Sequence, residues 1–259
     1  SVTEGKNFTW QITGIVDDGT NLAISWTATY KGNPVNPCNT TASANAPVFF
    51  PYGPNTAGEG TLSMLRSYAQ GDDYVLGQAN APGQAAAVNL STTNTVCAAN
   101  VATTTIPVDA AIPAGTRGIV ALQGKPQLPV PAGMSTKHWT YPLLFVRVPT
   151  PTYEFVVGTG AKATTPRREI ADTGQCLKCH VGSLYQHGNT RVDNVTMCII
   201  CHNSASSEQN NRVLMGVDVS EAYDGKVGQT YEFKTMLHAI HSAGTGLAPF
   251  VVYRTRGIY

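Results

Sequence analysis

Cys176-Leu177-Lys178-Cys179-His180 recurs 22 residues later as Cys198-Ile199-Ile200-Cys201-His202. Each copy reads C-x-x-C-H, the attachment signature of c-type haem. Two thiols at this spacing can form thioether bonds to the two vinyl groups of one porphyrin. The histidine that follows is then placed under the iron as an axial ligand. Two copies predict two covalently attached haem c groups, held by Cys176, Cys179, Cys198 and Cys201 with His180 and His202 as first axial ligands. The same thiols also fit C-x2-C-x18-C-x2-C, a zinc-ribbon spacing. A ribbon does not need histidine after both pairs. A disulfide reading of the pairs leaves both histidines unexplained.

The surrounding composition is that of an exported protein. Only 13% of the 259 residues are charged, and formal net charge is +1. That balance offers no basic field for nucleic acid. No apolar run is long enough to span a bilayer. Attachment through C-x-x-C-H needs export, so a targeting signal removed ahead of Ser1 is implied. The cell surface or extracellular space is the expected location, with the periplasm as second choice.

Residues 1–165 are expected to form an all-β domain, a Greek-key sandwich or split barrel. Leu22, Ile24, Trp26, Ala28 and Tyr30 alternate with small or polar residues, as in a half-buried strand. Phe8, Trp10 and Ile12 repeat the period before a turn at Asp18-Gly19, predicting a hairpin. Further strands are expected at 47–50, 74–77, 86–90, 102–108, 118–122, 139–148 and 152–157. Turns are expected at Pro51-Tyr52-Gly53-Pro54, Gly71-Asp72-Asp73 and Pro82-Gly83. Cys38 and Cys97 are the cysteines left outside the motifs, and in an oxidising compartment they would pair.

Residues 161–168 follow neither period and read as a linker. Residues 166–259 then form a loop-rich, haem-packed domain with short helices. Four of the six cysteines and five of the six histidines lie beyond Arg168. One helix is well marked: over 231–242, Phe233, Met236, Leu237 and Ile240 fall on one apolar face. Gly244 and Gly246 supply its stop. His238 and His241 sit on this helix, about 60° apart around its axis, with His241 nearer the apolar face.

Two irons leave two distal positions. His187, in a turn between the motifs, and His238 and His241 are the candidates. His138, beside Trp139 in an expected strand, is expected to be structural. Methionines Met197, Met215 and Met236 compete less well, because Met197 directly precedes Cys198. A second histidine gives a closed iron suited to electron transfer, and an open one suits small-molecule chemistry. An electron carrier is therefore the first expectation. The alternatives are a haem enzyme with an open axial position, such as a peroxidase or small-oxyanion reductase, and a zinc-binding, β-rich interaction module.

The run Arg168-Glu169-Ile170-Ala171-Asp172, both motifs, Leu184-x-x-His187-Gly188-Asn189-x-Arg191-x-Asp193 and Phe233–His241 together resemble the extracellular decahaem cytochromes of metal-reducing bacteria, the OmcA/MtrC family. The likeness covers Arg168–His241, with a β domain ahead of it in kind. It implies bis-histidine haems that pass electrons to metal oxides, flavins or partner cytochromes. Any catalytic activity would be terminal metal reduction. It implies His187, His238 and His241 as distal ligands. It also implies other multihaem cytochromes, copies of the chain or an outer-membrane porin complex as partners. Three distal candidates for two motifs imply a further haem beyond those attached here, as expected of the first part of a longer protein.

Overall fold

The computed structural model describes residues 2–49, 62–77, 84–130, 143–187, 190–242, 250–254 and 257–259. A one-turn helix α1 (Val2–Gly5) precedes β1 (Phe8–Asp17), β2 (Asn21–Tyr30) and β3 (Asn33–Val35). Then come β4 (Ser63–Gln70), β5 (Asp73–Leu76), β6 (Ala86–Asn89), β7 (Thr95–Ala98), β8 (Val101–Pro107) and β9 (Arg117–Gln123). A short pair, β10 (Gln127–Pro129) and β11 (Leu143–Phe145), leads to β12 (Thr152–Val156). The remaining chain carries α2 (Thr173–Cys179), β13 (Tyr185–Gln186), β14 (Arg191–Val192), α3 (Val195–Cys201), α4 (Gln209–Leu214), α5 (Phe233–His241), β15 (Tyr253–Arg254) and β16 (Gly257–Ile258). Among the described residues no helix is long and apolar enough to cross a membrane.

Two five-stranded antiparallel sheets make a sandwich. One runs β1-β2-β8-β7 with β3 also on β2, and the other β12-β9-β4-β5 with β6 also on β4. The first hairpin forms as its period predicts. Leu22, Ile24, Trp26, Ala28 and Tyr30 are all buried. Asp18 Oδ1 accepts from Thr20 and Asn21 N–H at 2.8 and 2.7 Å, and Gly19 takes a positive φ in the turn. Between the sheets, Trp26, Leu22 and Ile24 meet Met64, Tyr68, Val120, Leu122 and Phe155. The Trp26 indole N–H is satisfied inside this core by Thr104 Oγ1 at 3.0 Å. The sheets form a sandwich and not a split barrel. At the β1/β12 margin, Gly158 N–H donates to Asp17 Oδ2 at 2.7 Å, and Gly160 lies against the Ile15 carbonyl where a Cβ would collide.

Several expectations change. No strand forms at 47–49; Val48 makes a lone bridge with Gln127. Of the strand expected over 139–148, Leu143–Phe145 forms. Positions 131–142, with His138, lie outside the described residues, as do the turns at 51–54 and 82–83. The central strand β4 escaped the period reading because six consecutive residues, Ser63–Tyr68, are buried. A strand covered on both faces does not alternate. The expected linker is pinned to the sandwich. Ala163 N–H bonds Glu154 O at 3.0 Å, Arg167 reaches Asp73 at 2.6 Å and Arg168 reaches Asp72 at 2.5 Å.

Cys38 and Cys97 form a disulfide with Cα atoms 6.0 Å apart. It ties the exit from β3 to the edge strand β7, two segments 59 residues apart. The Cys38→Ser/Cys97→Ser double variant should lose about 4 kcal/mol of stability in the chain-entropy model. Urea denaturation of the oxidised proteins measures it; equal midpoints would show that the bridge adds nothing.

Candidate functional site

The two C-x-x-C-H motifs fold into matching units. Helices α2 and α3 are each seven residues long and each ends on the second cysteine. Asp172 caps the first through Gly174 N–H, and Asn194 caps the second through Met197 N–H. Each N-cap stands four residues before its first cysteine. Each motif histidine is the C-cap, its N–H bonded to the carbonyl of that cysteine at 2.9 Å. Cysteines three apart on a helix share a face, and the histidine one residue on stays beside them. The units touch through Val195 N–H and Thr173 Oγ1 at 3.0 Å.

Their surroundings differ. Helix α2 has no buried residue, whereas α3 buries Val195, Met197, Ile199, Ile200 and Cys201. Met197, Ile200 and Cys201 pack on Leu65, Tyr74, Ala85, Ile119 and Ala121, the outer face of the β4/β9 sheet. Asn194 Nδ2 bonds Thr150 O at 2.7 Å, and Asn203 Nδ2 bonds Tyr74 O at 3.0 Å. Across the other face of α3, Val195 and Ile199 meet Phe233 of α5, with Cys176, Cys198, Met236 and Leu237 alongside. Ile240, expected on that apolar face, is instead 57% exposed. The helix extends past the cluster before reaching it, and Gly244 and Gly246 lie outside the described residues.

Four of the predicted histidines come together as two pairs. His180 faces His241 with ring centres 6.2 Å apart and planes at 87°. His202 faces His187 at 6.1 Å and 30°. Imidazoles bonded from opposite sides to one metal at about 2 Å hold their ring centres roughly 6 Å apart. Both pairs match that spacing. The hydrogen bonds agree. His202 Nδ1 lies 2.8 Å from Tyr231 O and His241 Nδ1 lies 2.9 Å from Leu237 O. A carbonyl only accepts, so Nδ1 carries the proton and Nε2 keeps its lone pair for a metal. His187 has φ +53, a left-handed turn position that histidine tolerates better than most residues. His238 has no ring partner among the described residues. The four thiols do not converge as a zinc ribbon requires: among the described residues no three His, Cys, Asp or Glu side chains gather as a metal site.

Electrostatics prepare the second pair. Burial against protein, then Arg191, His202 and Arg254, push His187 down to about 4. The residue itself is exposed at the surface, with protein packed along one side of its ring. Burial also lowers His202, against the opposing pull of the Tyr231 carbonyl. Both imidazoles are thus held neutral, the form that binds a metal. Burial raises the Cys198 thiol to about 11. Tyr231 adds its ring edge-on to His202 at 5.6 Å.

Sequence reading missed a buried ion-pair cluster that follows the second motif. Arg212, on α4, is buried and forked between Glu208 and Asp224, with N···O distances of 2.6–2.8 Å to each. It also donates to Lys226 O and Val251 O and lies over the Tyr253 ring at 4.4 Å. Nothing in a lone arginine at that position marks it as buried. A cavity of about 840 Å³ lies elsewhere, between the β1/β12 margin, residues 162–171 and α3, and no motif cysteine or histidine lines it.

Residues 168–255 match the family model described as outer membrane cytochrome MtrC/MtrF-like, domains II/IV. The likeness read over Arg168–His241 falls inside that span, and the recognition of an OmcA/MtrC-type chain is borne out there. The crystal structure of the outer membrane decaheme cytochrome OmcA matches with TM-score 0.54 and 14% identity, over 97% of this chain and 37% of that one. That of MtrC from Shewanella baltica OS185 gives TM-score 0.49 and 15% identity, over 92% and 33%. The chain thus spans about a third of the length of these structures. At such identity the OmcA match speaks for a shared fold. No curated protein matches in sequence.

Arg212 makes the acid response predictable. Its guanidinium holds Asp224, whose side chain is fully buried, down to about 2 from an ordinary 3.8. A carboxylate depressed on folding stabilises above its unfolded pKa and loses that contribution as pH falls through the folded one. Urea stability should therefore decline between about pH 4 and 2. Arg212→Met leaves two buried carboxylates unpaired and should cost about 3–5 kcal/mol at pH 7. A neutral-pH midpoint unchanged in that variant would refute the role.

Proposed function

We propose that this chain, whose residues 168–255 belong to the domain family of MtrC/MtrF-like outer membrane cytochromes, carries electrons through two covalently held bis-histidine haems at the cell surface. The observation that carries the reading is the spacing of the two imidazole pairs, 6.2 and 6.1 Å between ring centres. When bound, haem supplies reversible one-electron chemistry at iron. The protein's part is to hold and enclose. Cys176 and Cys179 would anchor one group and Cys198 and Cys201 the other. His180 with His241, and His202 with His187, would hold the two irons. The Nδ1 bonds to Leu237 O and Tyr231 O fix the rings of His241 and His202.

With two imidazoles offered to each iron, each site would suit outer-sphere transfer. An enzyme with an open iron finds less support, since each motif histidine already faces a second imidazole. His238, the third distal candidate, remains for a haem beyond these two. We place the boundary between the β domain and the haem domain near residue 165. The family relation supports export to the cell surface and function in extracellular electron transfer; the periplasm finds no support in it. Metal oxides, flavins and partner cytochromes are the proposed acceptors. Other multihaem cytochromes, copies of the chain or a porin complex are the proposed partners.

Intact mass of the exported chain should exceed the polypeptide by two haem groups. The reduced wild type should leave its visible spectrum unchanged under carbon monoxide. His241→Ala should open one site and bind one equivalent, whereas His238→Ala should bind none. Prompt carbon monoxide binding by the wild type, or two equivalents in His238→Ala, would refute closed bis-histidine sites.

A further inference from the structure

We propose that Tyr231 is the positioning residue of the second site: together with Gln84 it locks the plane of the His202 imidazole to the β-sandwich. This rests on the bis-histidine reading and adds what fixes one of its ligands. As the C-cap of α3, His202 has a set backbone. Its ring is not set by that alone, because rotation of an imidazole about its Cβ–Cγ bond is broad and two-fold. Two restraints from different directions are needed to hold a plane, and Tyr231 supplies both. Its carbonyl accepts from His202 Nδ1 at 2.8 Å, and its ring stands edge-on to the imidazole at 5.6 Å and 75°.

Tyr231 is held in turn from several sides. Its N–H donates to Ser206 O at 3.3 Å, a carbonyl that also accepts from Thr230 Oγ1 at 3.0 Å. Two residues on, Phe233 N–H closes onto His202 O at 2.9 Å, and the Phe233 side chain packs with Val195 and Ile199 of α3. Residues 230–233 thus form a strap across His202. At the far end of the ring, Gln84 Nε2 donates to the Tyr231 hydroxyl at 3.3 Å and to Cys201 O at 3.4 Å. A side-chain amide has two N–H donors and can serve both. Gln84 stands just ahead of β6, and its neighbour Ala85 packs with Met197 and Cys201. One side chain of the sandwich therefore ties the ring over the imidazole to the end of the helix that carries it. The first site is held otherwise. His241 Nδ1 bonds a carbonyl of its own helix, Leu237 O, and His180 opposite belongs to the exposed α2 unit. A carbonyl on Nδ1 makes an imidazole the more basic ligand, which favours oxidised iron.

The test uses the full haem-loaded chain in EPR and in a potentiometric titration followed by absorbance. The ring planes of the two pairs, at 87° and 30°, should give distinct low-spin signals that assign each step to its site. Tyr231→Ala removes the ring and loosens the strap. The second-site signal should shift and broaden and its potential should rise, while the first site stays in place. Tyr231→Phe and Gln84→Ala each keep the ring and lose the hydroxyl bond, so each should broaden the second signal about its wild-type position. The inference is overturned if Tyr231→Ala moves neither site or both alike, if it lowers the second potential, or if Tyr231→Phe shifts the signal as far as Tyr231→Ala. Should Tyr231→Ala not retain both haems, Gln84→Ala decides: a second signal as narrow as in wild type overturns the proposal. A wild-type mass without haem would instead refute the bis-histidine reading, and this inference with it.

Discussion

Helix α3 must bury its apolar side on the sandwich, and much of the site's geometry follows from that contact. Met197, Ile200 and Cys201 cover the outer face of the β4/β9 sheet while the inner face carries the main core. A sheet covered on both sides is rigid, close-packed material. It provides a fixed reference for one cysteine pair and its histidine. The polar links around the helix, Asn194 to Thr150 and Asn203 to Tyr74, add direction to a contact that burial alone would leave free to slide.

From that anchored helix the rest is built outward. Val195 and Ile199, on its other side, receive Phe233 and so position α5. Helix α5 then carries His241 to His180. The hairpin β13–β14, bonded to Thr150 through Val192, brings His187 to His202. Beneath, Arg212 closes the 208–230 loop onto the C-terminal strands through two carboxylates and two backbone carbonyls. Two locally identical units thus end in unlike places, one exposed and one half-buried against protein. Exposure, hydrogen bonding and fixed charge tune a haem's potential, so unlike surroundings are a means of making equal motifs unequal.

The signals that were legible in the sequence are those with a local cause. The β1–β2 hairpin could be read because each strand has one wet and one dry face. The strand β4 could not, because both its faces are dry. Helix α5 was found from its apolar spacing, yet Ile240 lies outside the contact, since spacing describes a face and not how far a neighbour reaches along it. Arg212 gave no signal, because a single arginine reads as surface until its surroundings are known.

By itself the sequence determined the chemistry available: two thiol pairs with their histidines, three further histidines after Arg168, a disulfide pair and a β-rich start. Covalent spacing and side-chain period are local properties, so they survive without a fold. Only the tertiary structure decided which imidazole meets which, leaving His238 without a ring partner among the described residues, and which motif is sheltered. Those outcomes join residues far apart along the chain: His180 and His241 are 61 positions apart, and Cys201 and Leu65 are 136. Distance along the chain carries no information about such meetings until packing brings the elements together.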